Sequence, residues 1–351
     1  VRNATGAANV TGDTHVTVTK YANELNDQKW VQYVLGGGKA MTSGKQTATA
    51  NVTGNTHVTI GEQGAAGEAL KIEFGTVAGG GLARAQEGEG SATATVNNAN
   101  VTVHSGILSG VAGGGIAENY GTVSADATVT NANLTINGGT INGVKYKGVD
   151  KSEVAVLGGG IAKGAGATAN ATTTNTVING GTINGNVVAG GLADGGTATV
   201  GTANLTINGG TINGNVYAGG YALNKGTADV TTANVTLKGG SINGKVTVGN
   251  ATNATITLGT GAKVTGDDTG DFEGNKSSTL AFNNYNGTFE KVAIGFDTLA
   301  VAENSNVYVD ALVSGQRGSD RPNTGFFGAP PPTDEGTLNP TGSGFTITGG
   351  G

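Results

Sequence analysis

The sequence predicts an all-β protein, a parallel β-solenoid built from repeats of roughly 30 residues. Three observations predict it. Long stretches recur almost unchanged, apolar residues alternate with polar ones in a fixed phase, and Gly and Asn punctuate the strands at matching places.

The recurrence is direct. Ala132–Gly143 and Ala203–Gly214 are the same string, ANLTINGGTING. Ala233–Gly244 repeats it as ANVTLKGGSING and Ala99–Gly110 as ANVTVHSGILSG. Earlier, Ala8–Thr11 and Ala50–Thr53 both read ANVT, and each is followed closely by Thr-His-Val-Thr. A second element, Val/Tyr-Ala/Leu-Gly-Gly, begins at Val34, Val77, Val111, Val156, Val188 and Tyr217, with successive spacings of 43, 34, 45, 32 and 29 residues. The short spacings define the unit. The long ones contain insertions, Glu62–Gly75 and Lys145–Glu153, expected to leave the solenoid as loops.

The alternation sets the direction of each side chain. Successive side chains of a strand point to opposite faces. In Asn234-Val235-Thr236-Leu237-Lys238 the ammonium of Lys238 belongs outside, so Val235 and Leu237 point inward and Asn234 and Thr236 outward. The same phase buries Leu205 and Ile207, Leu134 and Ile136, Val101 and Val103, Val58 and Ile60, and Val16 and Val18. Thr176-Val177 swaps the order of its equivalents and predicts an imperfect rung.

The punctuation marks corners. Gly adopts positive φ without steric cost, and Asn tolerates it best among the other residues. Asn142, Asn184, Asn213 and Asn243 fall in one register, which predicts a ladder of side-chain amides. Helix is excluded, because no stretch carries an i, i+3, i+4 apolar stripe and Gly and Thr are poor helix formers.

Composition agrees. Of 351 residues 66 are Gly and 13% are charged, with Val, Ile and Ala in place of large core side chains, as suits a narrow core between short strands. The absence of Cys excludes a disulfide framework and a thiolate metal site. A net charge of −6 with scattered basic residues gives no footprint for nucleic acid, and no apolar run is long enough to span a membrane as a helix. Residue 1 opens into repeat-like sequence, which reads as a processed product or a fragment.

Three regions are expected: a repeat solenoid over 1–265, C-terminal rungs or a cap over 266–312, and a Gly/Pro-rich linker or tail over 313–351. The second is rich in aromatic residues, Phe272, Phe282, Tyr285, Phe289, Phe296 and Tyr308, which suit plugging the end of a stack. In the tail, Gly344–Thr348 alternates like a strand and is a candidate either for adding to a neighbouring subunit in head-to-tail fibres or for a connector to a C-terminal barrel.

The TINGGTING and Gly-Gly-Gly repeats resemble the passenger regions of Gram-negative autotransporter adhesins, and so does Leu280–Val309 with its F..YNGT, FDTLAV and SNVYV strings. The resemblance covers about residues 1–312. It implies a right-handed parallel β-helix displayed outside the cell and exported through a C-terminal outer-membrane barrel, which this sequence does not contain.

Chemistry has little material. Glycoside hydrolysis needs two facing carboxylates, whereas Glu87, Glu89, Glu118 and Asp126 read as loop residues with no recurring pair. His15 and His57 hold equivalent places and His104 follows a matching strand; stacked His can bind a transition metal, but these read as polar residues on a solvated face, because no carboxylate recurs beside them. Asp267, Asp268, Asp271 and Glu273 form the one dense acidic cluster, read as a solvated turn. Outward Thr17, Thr59, Thr102, Thr135, Thr206 and Thr236 align without the flatness of an ice-binding array, and sequons such as Asn51, Asn133, Asn204 and Asn234 arise from the strand motif itself. The expectation is therefore no catalytic, cofactor-binding or metal site and no cofactor. The functional expectation is a non-enzymatic bacterial surface or secreted module, structural or adhesive, contacting host or bacterial glycans or proteins and able to self-associate. The alternative is a carbohydrate-active β-helix enzyme, which would show an acidic cleft along one face.

Overall fold

The computed structural model describes residues 6–19, 30–43, 45–63, 73–86, 90–145, 153–266, 271–289, 291, 293–309 and 346–349. The described residues are all-β without a helix and form a parallel β-solenoid. The described chain winds through three large, mainly parallel sheets, with a two-stranded parallel sheet of Asn286–Phe289 and Asn306–Val309 near its C-terminal end. Sheet A has twelve strands and contains the long repeat strands, among them Ala92–Val103, Ala125–Ile136, Ala167–Ile178, Thr197–Ile207 and Thr227–Leu237. Sheet B has fifteen short strands and sheet C six. One turn runs from sheet A through sheet B to sheet C and back, as in Ala92–Val103, Ile107–Ala112 and Ile116–Asn119.

The register follows the repeats. Val58, Val101, Leu134, Thr176, Leu205, Val235, Ile256 and Leu280 stack in one column of sheet A. The inward pairs from Val58/Ile60 to Val235/Leu237 are buried, whereas Val16 and Val18 on the first turn are half-buried. Lys238 is exposed. The swapped rung keeps its backbone pairing. Thr176 takes the core position and Val177 the outer one, and the buried Thr176 hydroxyl finds no hydrogen-bond partner. The imperfection is one of side-chain chemistry, not of register.

Two cores lie behind sheet A. Between sheets A and B are Val, Leu and Ile side chains; between sheets A and C almost every inward residue is Ala. Ala50, Ala94, Ala127, Ala169, Ala198 and Ala228 form a continuous column there. The Gly-Gly-Gly segment joins sheet B to sheet C and presses onto sheet A. A Cβ on Gly80 would lie 2.7 Å from Val129 Cγ2, so close approach forbids a side chain there. Positive φ is the reason for Gly elsewhere, at the second Gly of each Asn-Gly-Gly corner, for example 90° at Gly210. The sequence reading assigned one role to both kinds of Gly; the structure separates them.

The second element is also corrected in register. Val111 pairs with Val156 and Val156 with Val187, so the equivalents on the next turns are Val187 and Val216, not Val188 and Tyr217. Alignment on the first two glycines slips by one, because Ala189 and Ala218 replace the first Gly of the triplet while Gly190 and Gly219 keep the second.

After Leu223 sheet C ends, and the turn narrows: Val230 pairs with Ala251, 21 residues on, where Ala198 and Ala228 are 30 apart. The core continues with larger side chains. Phe272, Phe282 and Phe289 are buried, with ring centroids 5.7 Å apart for Phe272–Phe289 and 5.2 Å for Phe282–Phe289. Thr346–Gly349 pairs in parallel with Thr298–Val301 as the next strand of the same sheet. Within this chain the tail strand thus extends the stack. The middles of the insertions, 64–72 and 146–152, lie outside the described residues; around the second, Val144–Lys145 and Glu153–Leu157 pair antiparallel within sheet B.

Candidate functional surfaces

Stacking in register turns each outward position into a column. On sheet A, Asn133 Nδ2 donates to Asn100 Oδ1, Asn175 to Asn133, Asn204 to Asn175 and Asn234 to Asn204, at 2.9–3.1 Å. At the sheet A–B corner a second ladder runs through Asn137, Asn179 and Asn208 at 2.8 Å. The ladder expected at Asn142, Asn184, Asn213 and Asn243 is present at 2.7–3.0 Å. The first two ladders were not anticipated, although the repeated Asn at those places carried the signal. The Nδ2 atoms of Asn133, Asn204 and Asn234, which N-glycosylation would modify, are donors in the first ladder. Such chains of amides rigidify the surface because each bond fixes the rotamer above it. The Thr column runs Thr59, Thr102, Thr135, Val177, Thr206 and Thr236, interrupted by Val177.

The carboxylates are placed differently from expectation. Glu118 and Asp126 lie in strands Ile116–Asn119 and Ala125–Ile136, not in loops; outward strand positions accept charge as readily as loops do. Glu118 is buried, at 4% exposure, and is neutralised in place. Arg84 donates from Nε to Glu118 Oε2 at 2.6 Å and forms an ion pair with the same carboxylate, while Tyr33 donates its hydroxyl to Oε1 at 2.9 Å. The Arg84 guanidinium also lies 5.6 Å from the Tyr33 ring centroid. Burial, and then the Glu118 charge, push the Tyr33 hydroxyl up to about 12, so it stays protonated at neutral pH and acts as a donor. A charge held this way is a structural clamp across three turns. Glu273 is paired with Lys245 at 2.8 Å, and Asp271 lies 3.8 Å from Lys291. Glu87, Glu89, Asp267 and Asp268 fall outside the described residues.

The histidines divide into two and one. His15 stacks on His57 with centroids 4.7 Å apart and planes 6° apart, the two being register partners. His104 is elsewhere, 3.2 Å from Asn137 Nδ2 at the head of the corner ladder. Asp13, overlooked in the sequence, lies beside the pair: its Oδ2 is 3.8 Å from His57 Nε2. Its signal was parity, since positions 13 and 15 share a face of an extended strand. The Asn55 backbone N–H donates to Asp13 Oδ1 at 2.7 Å and holds that carboxyl below the usual range.

Among the described residues no helix is long and apolar enough to cross a membrane. Comparison with protein-family models, with characterised proteins and with solved structures finds no match to this chain.

Proposed function

We propose that this chain is a structural or adhesive module displayed on a bacterial surface or secreted from it, acting without catalysis. The observation that carries the reading is the repetition of the same outward Asn and Thr columns from turn to turn, a surface that offers many equivalent weak contacts. Such a surface gains strength by multivalency rather than by one pocket. Its partners are glycans or proteins of host or bacterial surfaces, or further copies of itself. The carbohydrate-active reading calls for two facing carboxylates open to a substrate, whereas the buried Glu118 is held by Arg84 and Tyr33.

The test is to immobilise the protein on beads, measure retention on glycan- and cell-coated surfaces, and incubate the soluble protein with polysaccharides while following reducing ends and unsaturated products. Saturable retention without product formation is expected. Turnover of any polysaccharide would overturn the reading.

A further inference from the structure

We propose that Asp13, His15 and His57 form a surface site for a divalent transition-metal ion, zinc or copper, bridging the first two turns of the solenoid. Among the described residues, one ligand atom from each of the three lies within 4.8 Å of the other two. Two imidazoles and one carboxylate suit a metal of borderline softness, with water completing the shell.

The geometry is close to a site without being closed. A tetrahedral shell with bonds of about 2.0–2.2 Å holds ligand atoms about 3.3 Å apart. The His57 Nε2 to Asp13 Oδ2 distance is 3.8 Å, and the stacked rings sit one strand spacing apart. Closing requires only χ rotations of surface side chains; those of His57 and Asp13 are 40% and 43% exposed. The backbone beneath is fixed by the Thr14–Val18 and Ala48–Ile60 pairing, in which His15 and His57 are partners.

A second observation sets this place apart from the polar column below it. His57 is the register partner of Asn100, the head of the longest amide ladder. The ladder does not extend to it: Asn100 Nδ2 donates to the Thr56 carbonyl at 3.1 Å. The column therefore changes from mutually bonded amides to a stacked imidazole pair beside a carboxylate.

The column also supplies a conservative variant. Asn is the residue of this position on the following turns, so His57→Asn and His15→Asn suit the register. His104→Asn serves as the control, since His104 lies outside the cluster. The experiment titrates the full chain with Zn²⁺, and separately with Cu²⁺, by calorimetry at pH 7.5, with imidazole resonances followed by NMR. One ion per chain is expected, with broadening or shift of the His15 and His57 resonances and not of His104. Each His→Asn variant at 15 or 57 should weaken binding at least tenfold, Asp13→Asn should weaken it less, and His104→Asn should leave it unchanged. Absence of binding, or binding unaltered by His15→Asn and His57→Asn in chains that melt like the parent, would overturn the proposal.

Discussion

The two cores behind sheet A are built from the same turns yet obey opposite rules. Between sheets A and B the column Val58, Val101, Leu134, Thr176, Leu205, Val235 keeps the sheets apart with branched side chains. Between sheets A and C the column Ala50, Ala94, Ala127, Ala169, Ala198, Ala228 brings the backbones together around methyl groups. A single long strand such as Ala125–Ile136 serves both, Ala at its N-terminal half and Leu and Ile at its C-terminal half. Side-chain volume along one strand thus sets the cross-section of the turn. Where the chain leaves out sheet C, after Leu223, the turn becomes short and its core becomes aromatic.

The largest effect is expected from Leu237→Asp. Leu237 is fully buried, and an unpaired carboxylate there costs several kcal/mol. Because neighbouring turns template one another, loss should spread along the stack, which hydrogen exchange would register in Thr197–Ile207 as well as Thr227–Leu237. A paired comparison follows in size. Leu205→Ala should cost about 2–5 kcal/mol through a cavity, and Ala127→Leu about 1–3 kcal/mol through overpacking, so enlarging one column harms as shrinking the other does. Urea denaturation would measure both; a stabilising Ala127→Leu would break the comparison by showing spare room in the narrow core. Thr176→Val should stabilise by about 1 kcal/mol, since it removes a buried hydroxyl without a partner and restores the apolar column.

The smallest expected effect is at Tyr33, on strand Trp30–Leu35 of sheet B. The Tyr33 hydroxyl is raised from its ordinary value to about 12 by burial and by Glu118. The folded state therefore holds this proton more tightly than the unfolded state. The resulting stability is complete below about pH 10, the unfolded value, and is lost as pH rises towards 12. In Tyr33→Phe the alkaline loss should be smaller than in the parent, with Tyr217, also raised by burial, still contributing, as melting curves at pH 9 and 11 would show.

How much of this was legible in the sequence follows from periodicity. The inward pairs, the exposed Lys238 and the Asn142–Asn243 ladder were readable because alternation and repeat length fix both face and column. The register of Val187 and Val216 was not, because Gly-Gly is a poor anchor in a chain where Ala substitutes for one Gly of three. Asp13 was missed because its column continues as Asn55, Asn98 and Asn131, so the carboxylate does not recur. The Arg84–Glu118–Tyr33 clamp joins residues 34 and 85 positions apart, and only the winding of the chain brings them together.

Equivalent residues of successive turns stand one above another in a parallel stack. Thr59 and Thr236 are 177 residues apart in sequence and separated by five steps of one column, through Thr102, Thr135, Val177 and Thr206. With about 4.8 Å per step their backbones lie about 24 Å apart. The chain has no Cys, so cysteines introduced at both positions give unique sites for spin labels. Pulsed electron–electron resonance should return one narrow distance peak near that value, after allowance for the label tethers. A broad distribution, or a peak beyond about twice that spacing, would contradict the in-register solenoid.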